Sequence, residues 1–156
     1  MAEASGGGGT KSLAVNKRAR FNFEIDERLE CGVALRGSEV KSMKSGKFSF
    51  SDAYAKIENG ELWLMGFHIS TYERANLFNH DPDRVRKLLA HSAEIKRLKR
   101  KIDEKGYTLV PTRFYLKKGI VKIELGLGRG KKLFDKRNTI KDRDMSRDAE
   151  REIRQR

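Results

Sequence analysis

The stretch from Ile120 to Leu127 constrains the chain more than any other. Val121, Ile123, Leu125 and Leu127 alternate with Lys122, Glu124 and Gly126. A period of two puts all four apolar side chains on one face of a strand, so this segment predicts a sheet with one side buried. It runs into Gly126-Leu127-Gly128-Arg129-Gly130, where three glycines at alternate positions let another backbone approach closely, because no Cβ intervenes. Arg129, Lys131, Lys132, Lys136 and Arg137 then crowd cations together where the strand ends.

The same period recurs upstream. Phe21, Phe23 and Ile25 alternate with Asn22, Glu24 and Asp26, and Cys31, Val33 and Leu35 continue the pattern. Ala53, Ala55 and Ile57 alternate with Tyr54, Lys56 and Glu58, and Asn59-Gly60 is a strong hairpin signal. The return strand, Leu62 to Ile69, is apolar on both faces in places and reads as central, with Trp63 in its packing. Tyr107 to Leu116 and Ile120 to Leu127 read as a last hairpin turning near Lys117-Lys118-Gly119, with Pro111 at an edge or bulge.

Three helical segments interrupt the strands. Ser38 is expected to cap a short helix that carries Val40 and Met43 on one face and ends at Gly46. Asp81-Pro82 reads as a second helix start, with Val85, Leu88 and Leu89 on one face. Ser92 is expected to cap a third helix with Ile95, Leu98 and Ile102 inward, closed by Gly106. Its other faces hold Lys96, Arg97, Lys99, Arg100 and Lys101, either solvated or in contact with RNA. The fold class predicted is mainly β with inserted helices: a closed, six-stranded antiparallel barrel like the oligonucleotide-binding fold, with about three helices. A flexible leader (1–10), the barrel (11–132) and a basic C-terminal tail (133–156), disordered when free, divide the chain.

The net charge of +13 in 156 residues favours a polyanionic partner. No membrane span or signal peptide is legible, and one cysteine, Cys31, fits a reducing compartment, so a cytoplasmic location is expected. His68, His80 and His91 make no close pair with each other or with Cys31, so zinc spacing is absent. There is no Walker loop, dinucleotide fingerprint or nucleophile elbow, so neither an enzyme nor a cofactor is expected. Asn16-Lys17-Arg18-Ala19-Arg20 reads as a phosphate-contacting cluster. Gly126 to Arg137 then reads as the junction between a folded RNA-binding body and an arm that orders on a large RNA partner; the alternative is a solvated terminus without a task.

In the tail, Asp144–Arg147, Asp148–Arg151, Glu150–Arg154 and Glu152–Arg156 sit at helical spacing. At roughly 0.2–0.5 kcal/mol each, they do not cover a helix nucleation cost of about 4 kcal/mol. Arg143, Arg147, Arg151 and Arg154 would share one face, so phosphates along it would couple folding to binding.

Several stretches, in this order and spacing, carry a family resemblance. They are Asn16-Lys17-Arg18-Ala19-Arg20, Gly37-Ser38-Glu39-Val40-Lys41-Ser42, Asn79-His80-Asp81-Pro82 with Arg86-Lys87-Leu88-Leu89, Tyr107-Thr108-Leu109-Val110-Pro111, and Gly130-Lys131-Lys132 before Asp135-Lys136-Arg137. From about Asn16 to its end the chain resembles the SsrA-binding protein family, the small protein B of bacterial trans-translation. The resemblance implies an adaptor that binds the tRNA-like domain of transfer-messenger RNA (tmRNA) and delivers it to stalled ribosomes as a monomer in that complex. It further implies that the tail enters the decoding centre and the empty messenger channel, and it leaves room for a translation elongation factor as a further partner. A general RNA chaperone or ribosome-associated RNA-binding protein is the alternative.

Residue by residue, the resemblance gives Glu39 a direct role in RNA recognition, with Lys41 in the same helix. It places Leu89 and His91 against RNA and Lys131 and Lys132 in the loop that follows the last strand. Asp135, Lys136 and Arg137 match the triplet at the decoding centre, and Lys141, Arg143, Arg147, Arg151 and Arg154 belong to the tail in the messenger channel.

Overall fold

The computed structural model describes residues 10–50, 52–72 and 79–131, together with 137, 140 and 141. The elements in chain order are β1 (Thr10–Val15), α1 (Lys17–Asn22), β2 (Phe23–Val33), α2 (Gly37–Lys44), β3 (Phe48–Ser49), β4 (Tyr54–Glu58), β5 (Glu61–Met65), β6 (His68–Ile69), β7 (Arg86–Leu89), α3 (Ser92–Lys105), β8 (Thr108–Lys117) and β9 (Ile120–Gly130). The main sheet runs β1-β8-β4-β5-β7-β2-β9, and β8 also pairs with β9. Six strands (β8, β4, β5, β7, β2 and β9) therefore form a hydrogen-bonded ring, with β1 attached outside it. All pairings are antiparallel.

The ring depends on β8 having two jobs. One edge pairs with β9 from Thr108 to Lys117. The other edge is divided: β1 takes Arg113 to Lys117, and β4 meets it at Leu109. The register slips between Pro111 and Arg113, so the bulge read from Pro111 is present. Asn59-Gly60 and Lys118-Gly119 turn the two hairpins with positive φ at both residues, 52° and 74° in the first and 52° and 80° in the second.

Two of the three alternate glycines are required by the fold itself. A Cβ on Gly128 would lie 2.4 Å from the Glu24 carbonyl oxygen, and one on Gly126 2.8 Å from Thr112 Cγ2 and 2.9 Å from Ile25 Cδ1. These two positions let β2 lie close over β9 beside the register slip between Ile25 and Glu27. At Gly130, where the chain leaves the sheet, a Cβ would meet nothing within 4 Å.

Inside the ring lie Leu62, Leu64, Leu88, Leu109, Ile123, Leu125 and Leu127, with Ile95 and Leu98 of α3 packed against them. Phe67 stacks on Phe114 at 4.7 Å between centroids, and Phe48 and Phe50 contact both rings. Cys31 is buried, and burial pushes its thiol up to about 12, which makes it a small apolar side chain rather than a nucleophile.

Several sequence expectations need correction. Residues 86–89 form strand β7, not a helix: Leu88 is buried while Val85 and Leu89 are exposed, a period of two. The Asp81-Pro82 signal starts only a turn, in which Asp81 Oδ1 accepts from the Asp83 N–H at 3.0 Å. Residues 17–22 are helix, because Asn16 caps them: its Oδ1 accepts from the Ala19 N–H at 3.2 Å. The tally of three helices therefore stands with one member exchanged. Helix α2 begins two residues earlier than read, with Arg36 and not Ser38 at its N-cap; the Ser38 hydroxyl faces His80 Nδ1 at 2.8 Å. Helix α3 is capped at His91 rather than Ser92 and closed by Gly106 in the left-handed conformation. Trp63 lies outside the core, on the outward face of β5 between the buried Leu62 and Leu64. Thr10, assigned to the leader, begins β1; residues 1–9 and most of the tail lie outside the described residues.

Candidate nucleic-acid interface

The capped turn at α1 displays the first basic cluster. Asn16 itself is buried: Nδ2 donates to the Pro111 carbonyl at 2.8 Å and its N–H to the Thr112 carbonyl at 2.7 Å. It anchors the helix to β8. Lys17, Arg18 and Arg20 all point outward. Arg18 meets Asp52 at 3.3 Å across a cleft of about 270 Å³ that also includes Asn22 and Tyr54.

The α2 carboxylate is sealed. Glu39 has 0% exposure, and both its oxygens are engaged. Oε1 accepts from the Arg36 N–H at 2.8 Å and from Arg84 Nη2 at 2.6 Å; Oε2 accepts from Arg86 Nε at 2.7 Å. Burial favours its protonated form, but hydrogen bonds from Arg84, from the Arg36 backbone and from Arg86 outweigh this and hold its pKa below the usual carboxylate value. Arg86 is equally buried and is held on its remaining sides by the carbonyls of Phe67 at 2.6 Å and Pro82 at 3.0 Å. In this structure both oxygens of the carboxylate face internal donors rather than solvent. Glu39 ties α2 to β7 and to the turn before it. Lys41, on the same helix, is exposed and lies 5.5 Å over the Tyr72 ring.

Leu89 and His91 come together in one cleft. Leu89 is 53% exposed at the end of β7, and His91 is the exposed cap of α3. Both line an open cleft of about 430 Å³ with Gly32, Ala90, Glu94 and Lys122, and with a residue that sequence reading did not select, Glu30. Its side chain is 40% exposed, 3.4 Å from Lys117 Nζ. A hydrogen bond from Tyr115 lowers its pKa against the cost of partial burial, and Lys117 adds to the lowering. Glu30 is thus an ionised acceptor at the surface, beside an exposed leucine and an imidazole. Nothing in its local sequence marks it; the signal is β2 alternation, which turns Glu30 outward next to the inward Cys31.

Helix α3 divides its cations. Arg97 and Lys101 both reach Glu27 on β2, and their hydrogen bonds lower the Glu27 pKa. Lys96, Lys99 and Arg100 are exposed and have no acidic partner among the described residues. Lys131 follows β9, its N–H donating to the Asn22 carbonyl at 2.8 Å, which holds the end of the sheet against α1. Arg137 and Lys141 are exposed; Lys132, Asp135, Lys136, Arg143, Arg147, Arg151 and Arg154 lie outside the described residues. No group of three or more His, Cys, Asp or Glu among the described residues could hold a metal ion, and no helix among them is long and apolar enough to cross a membrane.

Comparison with known proteins points one way. The family model described as "SmpB protein" matches residues 13–155. An SsrA-binding protein of Treponema denticola is 57% identical over 144 residues, 92% of this chain and 94% of that protein. One from Alkaliphilus oremlandii is 51% identical over 148 residues, 95% and 96% of the two chains. Among solved structures, a chain from "tmRNA-SmpB: a journey to the center of the bacterial ribosome" superposes with a TM-score of 0.65 at 46% identity, covering 78% of this chain and 86% of that one.

Proposed function

The chain belongs to the SmpB family, and from that membership we propose that it is an RNA-binding adaptor that binds tmRNA and brings it to stalled ribosomes for trans-translation. The observation that carries this reading is the match over residues 13–155, which spans the described fold and the basic tail together. The six-strand ring supports the finer inference of a closed oligonucleotide-binding barrel. The outward cations of α1 hold the phosphate backbone without reading sequence, as basic side chains do. The cleft of Glu30, Leu89 and His91 supplies selectivity: a carboxylate accepts from base amino groups and ribose hydroxyls, a discrimination lysines cannot make. The recognised part is the tRNA-like domain of tmRNA. Asp135 to Arg137 meet the decoding centre, and the tail reads the empty messenger channel in the cytoplasm.

A competition mobility shift tests this reading. Labelled tmRNA is expected to stay bound under excess bulk tRNA, with no cleavage when magnesium or manganese is added. Equal competition by tRNA, with an affinity set only by salt, would instead support a general RNA chaperone.

A further inference from the structure

The Glu30 carboxylate does not stand alone on the outward face of β2, β9 and β8. Register runs two rows across it: Glu30, Glu124 and Arg113, and beside them Gly32, Lys122 and Tyr115. Phe114 is turned into the core, so alternation turns Tyr115 outward with Arg113 and Lys117. Tyr115 is nonetheless only 4% exposed. The Arg113 guanidinium lies 4.6 Å over its ring and is itself 3.6 Å from Glu124. Glu124 Oε2 in turn accepts from the hydroxyl of the buried Thr112 at 2.6 Å. The ring is thus clamped by contacts that lead back to a buried side chain. From there, across two strand spacings of about 10 Å in all, the Tyr115 hydroxyl donates to the Glu30 carboxylate.

We propose that Tyr115 is a positioning residue for tmRNA recognition, its clamped ring carrying the hydroxyl that fixes the Glu30 carboxylate in the cleft shared with Leu89 and His91. This rests on the reading of that cleft as the tmRNA site and deepens it. A glutamate free on an open strand has its side-chain torsions to freeze before it can accept from RNA. A hydroxyl on a ring that cannot swing holds the carboxylate in place before the RNA arrives, so binding costs less ordering. Lys117 Nζ also reaches Glu30, at 3.4 Å, but its long side chain is 47% exposed, so it supplies charge more than direction. Burial, and then the hydrogen bond to Glu30, raise the Tyr115 pKa, so the phenol remains a donor at any ordinary pH. An ionised carboxylate offers about four acceptor sites, so these two donors leave room for a base amino group or a ribose hydroxyl. Packing does not account for the Tyr115 hydroxyl: a phenylalanine would fill the same space beneath Arg113.

Tyr115→Phe removes the hydroxyl and keeps the ring. Filter binding of the full chain to tmRNA is expected to weaken about fivefold, the size of one hydrogen bond, while the denaturation midpoint stays near the wild-type value. Glu30→Ala is expected to lose about tenfold or more. Adding Tyr115→Phe to it should cost nothing further, because the hydroxyl then has no carboxylate to hold. Additive losses, or wild-type affinity in Tyr115→Phe, overturn the proposal while leaving Glu30 as the acceptor. Wild-type affinity in Glu30→Ala removes the cleft reading and the proposal with it. Carboxyl NMR of the free protein follows the same bond without RNA. The Glu30 titration midpoint should rise in Tyr115→Phe, since the hydrogen bond from Tyr115 is the largest influence lowering it. Lys117 and Arg113 on β8, Lys122 and Glu124 on β9, and His91 and Glu94 at the start of α3 surround the same carboxylate and are identical in the two proteins, so the difference reports the hydroxyl. An unmoved midpoint means that the hydroxyl does not hold Glu30, and it overturns the proposal.

Discussion

Glu39 and Glu30 stand nine residues apart, both with cationic neighbours and both with a lowered pKa, and they are placed in opposite ways. Glu39 is fully enclosed, and its two oxygens are saturated by three donors. Glu30 lies in an open cleft and keeps 40% of its side chain exposed. The carboxylate in the recognisable motif is enclosed by the fold, and the one in an unremarkable strand faces solvent.

Removing the buried acid gives the largest expected effect. Glu39→Ala leaves Arg86 enclosed without its anion, which costs about 3–5 kcal/mol for a broken buried pair. Chemical denaturation should show that loss, and tmRNA affinity should fall only as the unfolded fraction grows. A Glu39→Ala protein that is as stable as wild type but blind to tmRNA would break the comparison and return Glu39 to the interface.

Acid titration probes the same difference with a smaller effect. The Glu39 pKa is lowered in the folded state, so its contribution is fully present above the ordinary glutamate value of 4.5 and is lost as pH falls through the folded value. Denaturation midpoints of wild type and Glu39→Gln should therefore converge as pH falls through the folded value, with the gap fully open and level above 4.5. A constant gap across that range would mean that the charge of Glu39 does not support the fold.

Glu30→Gln inverts the pattern. Stability should stay within about 1 kcal/mol, because the partner Lys117 is exposed. Affinity for tmRNA should drop about tenfold, the loss expected for one charge-assisted hydrogen bond. Unchanged affinity in filter binding would leave the cleft without its acceptor.

How much of this was readable beforehand follows the same divide. Period-two alternation found the strands because each has one inward face, and Asn59-Gly60 and Gly106 marked chain reversals by conformations that few other residues adopt. Residues 86–89 were misread because four residues after Asp81-Pro82 fit either period. What makes them a strand is pairing with β5 and β2, a long-range fact. The burial of Glu39 was equally hidden, since its partners Arg84 and Arg86 lie more than forty residues away. Hydrophobicity alone points Trp63 inward, whereas the alternation of its own strand places it outward. The basic clusters are legible in the sequence, because a solvated charge needs no tertiary context.

The smallest effect concerns the α1 cations. Arg18 and Asp52 are 69% and 85% exposed, so Asp52→Ala should leave stability within about 0.5 kcal/mol. It frees Arg18 for phosphate and should raise tmRNA affinity by about twofold at low salt. The gain should vanish as salt rises, because an exposed cation acts through screened charge. The Glu30→Gln loss should persist through the same salt series, since a hydrogen bond to a base edge depends on geometry rather than on counterion release. Parallel salt dependence for the two variants would mean that both acids merely set the local field, and that the cleft selects nothing.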